Sequence, residues 1–126
     1  MVVLDTCALI FLTVDRGKLS PNAVSHITRA DRIIISSISI WEIGLKHKRG
    51  KLGLPMSFRE WVDDVNCIFN FEFHAVDVST WIRNIELDWD HKDPADRTIV
   101  ATAQLLGCEL ITSDQRILDF YPKAVW

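Results

Sequence analysis

Short apolar runs recur along this chain, and stretches with helical spacing separate them. Val2-Val3-Leu4, Ile33-Ile34-Ile35 and Glu109-Leu110-Ile111-Thr112 are the clearest runs. They are rich in β-branched residues and too short for buried helices, so they predict strands. Strands that alternate with helices predict a parallel sheet with right-handed crossovers. The expected class is therefore α/β, with residues 1–126 forming one domain.

Local signals place the helices. A turn of helix follows the first strand, from Ala8 to Leu12. Ser20-Pro21 has the form of an N-cap with proline at N1, and Val24, Ile27 and Ala30 follow it. Ser39 is expected to open a helix with Ile38, Trp41 and Leu45 on one side, ending near Gly50 and Gly53. Ser57-Phe58-Arg59-Glu60 has the form of a capping box, and Phe58, Trp61, Val65 and Phe69 continue at helical spacing. A third strand is expected at Ala75-Val76. A helix carrying Trp81, Ile82 and Ile85 comes next. Asp93-Pro94 opens another with Ile99, Val100, Ala103 and Leu106, and Gly107 is its stop. Ala124-Val125 is a short last strand.

Composition narrows the function. The chain is 48% hydrophobic. A domain this long buries roughly two-thirds of its unfolded surface, so it needs no disulfide or structural metal. The formal net charge of -3 argues against a protein that coats nucleic acid generally. Cys7, Cys67 and Cys108 form no CxxC pair and read as reduced thiols in or near the core. His26, His47, His74 and His91 are scattered, which disfavours a zinc site. No apolar stretch is long enough to span a membrane, and Met-Val-Val-Leu-Asp does not resemble a signal peptide. The expected location is cytoplasmic. Most of the five tryptophans read as core, and some as interface.

Four acids share one local setting. Asp5 and Asp114 follow strands, Glu42 lies on the helix after the second strand, and Asp96 lies in the first turn of its helix. Open parallel sheets bind ligands beyond the carboxyl ends of their strands. Hard divalent cations take oxygen ligands, so this group could hold one ion, or two ions ~4 Å apart. Each acid also has a structural reading. Asp5 and Asp114 can cap helices. Glu42 can complete a capping box with Ser39. Asp96 can complement the helix dipole, while Asp93 is the natural N-cap. The coincidence of four acids at one edge favours the metal site. Lys46 and Arg49 lie on the same helical face as Glu42 and could guide a phosphate backbone, or could simply be a solvated face near a C-terminus. Thr6, Ser39, Thr112 and Ser113 bring hydroxyls beside the acids that could orient carboxylates or waters. His91 stands near Asp93 and Asp96, but a lone loop histidine carries little weight.

These blocks together resemble a known family. Val-Val-Leu-Asp-Thr-Cys-Ala-Leu-Ile at 2–10 resembles the opening strand of PIN domains. Ser-Ser-Ile-Ser-Ile-Trp-Glu-Ile-Gly-Leu-Lys at 36–46, running on to Gly-Lys-Leu at 50–52, resembles their second acidic block. His-Lys-Asp-Pro-Ala-Asp-Arg-Thr-Ile-Val-Ala-Thr-Ala at 91–103 resembles the third, and Leu-Ile-Thr-Ser-Asp at 110–114 the fourth. The nearest subgroup is the VapC-type toxins of toxin–antitoxin pairs. The resemblance implies a three-layer α/β/α fold with a mainly parallel sheet. It also implies Mg²⁺- or Mn²⁺-dependent cleavage of RNA by metal-activated water, leaving 5′-phosphate and 3′-hydroxyl ends. It carries metal and catalytic roles onto Asp5, Glu42, Asp96 and Asp114, and it implies a cognate antitoxin and a homodimer. Cys7 and Ala95 depart from residues common in the family, but neither departure removes an acid.

The leading expectation is thus an endoribonuclease toxin whose main ligands are Asp5 and Asp96, with Lys46 and Arg49 meeting the substrate. A rival is an RNA- or partner-binding module on the same scaffold, with structural acids. A phosphatase with Asp5 as nucleophile is disfavoured, because Cys7 stands where such enzymes often place a second acid.

Overall fold

The computed structural model describes residues 1–126. Strands β1 (Val2–Leu4), β2 (Ile33–Ser36), β3 (Phe71–His74), β4 (Glu109–Ile111) and β5 (Ala124–Val125) form one sheet in the order β3-β2-β1-β4-β5. Every pairing is parallel. The helices are α1 (Thr6–Val14), α2 (Pro21–Arg29), α3 (Ser37–Lys48), α4 (Phe58–Asn66), α5 (Val78–Glu86), α6 (Pro94–Leu106) and α7 (Gln115–Phe120). None is long and apolar enough to cross a membrane.

Side chains of a strand alternate between its two faces, and here both faces are apolar. Val2, Leu4, Ile33, Ile35 and Ile111 bury on one face against Leu9, Ala23, Ile27, Ile43, Trp61 and Val65 of α1 to α4. Val3, Ile34 and Leu110 bury on the other against Ile99, Val100 and Ala103 of α6 and Ile117 of α7. The result is the α/β/α arrangement.

The chain begins in the middle of the sheet. It adds β2 and β3 on one side, then returns past β1 to add β4 and β5 on the other. That reversal sets a topological switch point between β1 and β4, where open sheets leave a crevice for ligands. Leu4 pairs with both Ile35 and Ile111. Asp5 therefore emerges level with Ser36 and Thr112.

Several local expectations hold. Ser20, Ser57 and Asp93 cap their helices, the Ser57 capping box is complete, and Gly107 ends α6 in the left-handed conformation at φ 66°. Others need correction. Helix α3 starts three residues early, with Ser36 as its cap in place of Ser39. Ser39 is buried inside the helix, where its Oγ accepts a hydrogen bond from the Thr6 hydroxyl at 3.1 Å. Glu42 is therefore mid-helix and completes no capping box. The third strand lies at Phe71–His74, not Ala75-Val76. It is a half-exposed edge strand in which aromatic and polar residues alternate, and it follows a turn at Asn70 with φ 69°. Phe69, placed on a helix by its spacing, is outside it and 93% exposed.

The tryptophan reading also changes. Only Trp61 is buried; Trp41 and Trp81 are exposed. Along α5 the apolar residues Val78, Trp81, Ile82 and Ile85 face outward, while Thr80 and Asn84 face in. Cys7 and Cys67 are exposed, so of the three thiols only Cys108 is buried.

Candidate active site

Asp5 ends β1 and caps α1, and it is only 4% exposed. Its backbone N–H donates to the Ile111 carbonyl at 3.1 Å, which seats it beside the end of β4. The Ala8 N–H donates to Oδ1 at 2.6 Å, and the Thr112 hydroxyl donates to Oδ2. Thr112 is held in turn, because its Oγ1 accepts the Asp114 N–H at 3.0 Å. Burial pushes the Asp5 carboxyl up to about 6. The bonds from Thr112 and Ala8 oppose the rise, and the charges of Asp96 and Asp114 add to it.

Asp96 occupies the first turn of α6, where its N–H donates to the Asp93 cap at 2.9 Å. Its Oδ2 lies 2.7 Å from His91 Nε2. Burial raises its pKa above the ordinary carboxylate value, and Asp93 and Asp114 push the same way against the His91 bond. Asp114 caps α7 by accepting the Arg116 N–H at 2.8 Å. Capping and site membership are thus compatible. The residues that start α1 and α7 are two of the acids whose charges meet at the switch point.

Glu42 and Lys46 approach from the Cys7 side. Cys7 reaches the surface, yet the atoms packed around it desolvate its thiol and raise it; Asp5, Glu42 and Asp96 raise it further, and Lys46 opposes them. Arg49 lies exposed at the C-cap of α3 and makes no side-chain hydrogen bond. The structure therefore gathers Asp5, Asp96 and Asp114, sets Glu42 and Lys46 next to them, and leaves Arg49 outside the group.

Three residues at this edge gave little sign of themselves in the sequence. His91 has a side chain only 8% exposed and packs against Trp89, with ring centroids 4.7 Å apart. Its Nδ1 lies 3.1 Å from Arg116 Nη1. A guanidinium has only donors, so Nδ1 accepts, and the ring proton on Nε2 is donated to Asp96. Arg97 reaches out of α6 and donates to the carbonyls of Asn84, Leu87, Trp89 and His91. Its Nε also donates to Asn84 Oδ1. No local signal marks Arg116.

The blocks quoted above fall in order along one continuous match. A PIN-domain family model covers residues 2–122. This chain belongs to the PIN-domain family. Solved structures share the fold of this PIN domain over its full length. A toxin–antitoxin complex from Klebsiella pneumoniae matches with a TM-score of 0.73 at 21% identity, covering 100% of this chain and 97% of that one. VapBC2 from Rickettsia felis, bound to a DNA fragment from its promoter, gives 0.71 at 15% identity, with coverages of 100% and 98%. FitAcB from Neisseria gonorrhoeae gives 0.67 at 17%, with 100% and 96%. No curated protein sequence matches it.

The donors of this PIN domain suit a hard divalent cation in kind. They are carboxylate oxygens from three separate elements, and the ionised form of the most buried one is disfavoured where it stands. The acids share a field without forming a closed shell, since no three Asp, Glu, His or Cys side chains are arrayed as a ready ligand set.

Raising Asp5 from 3.8 to about 6 corresponds to about 3 kcal/mol against its ionised form. The folded state binds this proton more tightly than the unfolded chain. The penalty is complete above the folded value, is relieved as pH falls from about 6, and is gone below 3.8. In chelator, this contribution should stabilise the PIN domain as pH drops through that window. Saturating Mn²⁺ should raise the melting temperature more at pH 7.5 than at pH 5, where a proton competes. Thermal melts at the two pH values check both signs.

Proposed function

We propose that this PIN domain is a metal-dependent endoribonuclease, the toxin of a toxin–antitoxin pair acting on cytoplasmic RNA. The observation that carries the reading is Asp5. A buried carboxylate that two other acids disfavour is nonetheless held by two hydrogen bonds at the sheet's switch point. Clustered perturbed carboxyls in a crevice are a mark of functional sites. Asp5 and Asp96 would hold Mg²⁺ or Mn²⁺, with Glu42 and Asp114 completing the site directly or through water. Such an ion supplies an acidified water and positive charge for the phosphate oxygens.

The chain's own residues supply the orientation. Thr112 and Ala8 fix both oxygens of Asp5. His91 holds Oδ2 of Asp96 and leaves Oδ1 free for a ligand. Lys46 offers a cation for the phosphate backbone on the Glu42 side, and Arg49 reaches RNA only where the strand continues along α3.

Two protein partners belong to this reading. The similar structure from Klebsiella pneumoniae is a toxin–antitoxin complex by name, which supports a cognate antitoxin here. The outward row Val78, Trp81, Ile82 and Ile85, with Trp41 of α3 also exposed, offers an apolar face for a second copy in a homodimer.

Purified protein incubated with total cellular RNA tests the activity. Cutting is expected with Mg²⁺ or Mn²⁺, is lost in chelator, and leaves 5′-phosphate ends. Cutting that survives chelator would overturn the metal-dependent reading.

A further inference from the structure

A groove of about 570 Å³ is lined by Trp89, Asp90, His91, Lys92, Arg116 and Asp119; Arg116 lies on the helix after β4 and Lys46 on the helix after β2, and these strands flank β1 on opposite sides. The groove's volume lies within the range of ligand-binding clefts. Its two cations are unspent, because neither Lys92 nor Arg116 belongs to any of the ion pairs. Arg116 is oriented all the same. One Nη1–H is directed at His91 Nδ1 at 3.1 Å, and the remaining donors of the guanidinium are free. Of the two acids in the groove, Asp119 already accepts from the Gln115 amide at 2.7 Å.

The lining also indicates what the groove does not bind. Trp89 stacks on Phe120, with centroids 4.6 Å apart and planes 9° apart, and His91 packs against it. Its ring is committed to the protein and offers no clear face to a nucleobase. What the groove presents is charge: a guanidinium with a forked set of donors, the geometry that suits a phosphate.

We propose that this groove seats an RNA backbone phosphate next to the scissile one, with Arg116 as its principal cation and Lys92 in support. The inference rests on the ribonuclease reading and deepens it. It places cations on both sides of the acids, Lys46 beside Glu42 and Arg116 beside Asp96, so that an RNA strand crosses the site from one to the other. His91 then couples the two functions, because the ring that orients Asp96 also orients Arg116.

Arg116→Gln is the informative variant, since the amide still offers His91 a donor. On a labelled single-stranded oligoribonucleotide in Mg²⁺, KM should rise about tenfold, as for loss of one charged hydrogen bond, with a much smaller change in kcat. Binding by fluorescence anisotropy in EDTA should weaken similarly, and its salt slope should shrink by about 0.7, the share of one phosphate contact on a single strand. Arg116→Lys should restore the slope but only part of the affinity. Arg59→Gln, on the exposed side of α4, should match the parent. A scan with single neutral methylphosphonates should show one sensitive phosphate flanking the cut in the parent, and indifference there in Arg116→Gln. A parent insensitive at every flanking phosphate, or an Arg116→Gln protein with parental KM and salt slope, overturns the subsite and leaves the nuclease standing. A parent that neither binds nor cuts RNA overturns both.

Discussion

Asp5→Asn should fold, melt at a higher temperature than its parent in chelator at pH 7.5, and cut RNA roughly a thousandfold more slowly. Asparagine keeps the shape of the side chain and an oxygen for the Ala8 N–H. Thr112 can turn its hydroxyl to accept from the new amide, because an oxygen with two lone pairs can serve both that amide and Asp114. What disappears is a buried negative charge disfavoured by burial and by two neighbouring acids. Up to about 3 kcal/mol of destabilisation goes with it above pH 6. The same charge is the proposed anchor of the ion, so stability and activity move in opposite directions. Denaturation and RNA cleavage measured on one preparation check the pair. A variant that cuts at the parental rate would sink the assignment of Asp5, whatever its melting temperature.

Arg97→Met carries the second large effect, this time on stability. One guanidinium satisfies four carbonyls across residues 84 to 91 and one side-chain amide. That segment joins α5 to α6 and carries His91. Removing the donors should cost roughly 3 kcal/mol or more, because charge-assisted bonds to a partly buried turn are lost together. For a chain of this size that corresponds to a fall of about 10 °C in melting temperature. Arg97→Lys should rescue little, since a single ammonium cannot span four acceptors. RNA cleavage should fall as well, through a loosened His91 and not through any contact with substrate. Urea denaturation separates the two effects.

The parts legible in the sequence are those whose causes are local. β1, β2 and β4 are central strands buried on both faces, so each appears as an unbroken apolar run. β3 is an edge strand with one polar face, and its alternation of Phe71, Glu72, Phe73 and His74 looks weak beside them. Helix caps are also local, which is why the acids could be found at all. The same locality left capping and chemistry indistinguishable, since Asp5 and Asp114 do both. Helical spacing identified α5 but not its orientation. Asn84 turns inward because Thr98 and Arg97, far along the chain, hold it there. The link from Arg116 to His91 spans 25 residues and exists only because α7 lies beside the turn before α6.

The bond between Thr112 and Asp5 joins residues 107 apart in sequence. It closes only when β4 docks beside β1. Made at about 5–20 residues per second, the chain carries Asp5 for roughly 5–20 s before Thr112 exists to orient it. Non-local parallel pairing also delays folding itself. This edge of the sheet is therefore completed only after β4 has been made and paired with β1. Until Thr112 has been made and docked, Asp5 lacks the hydroxyl that fixes its Oδ2.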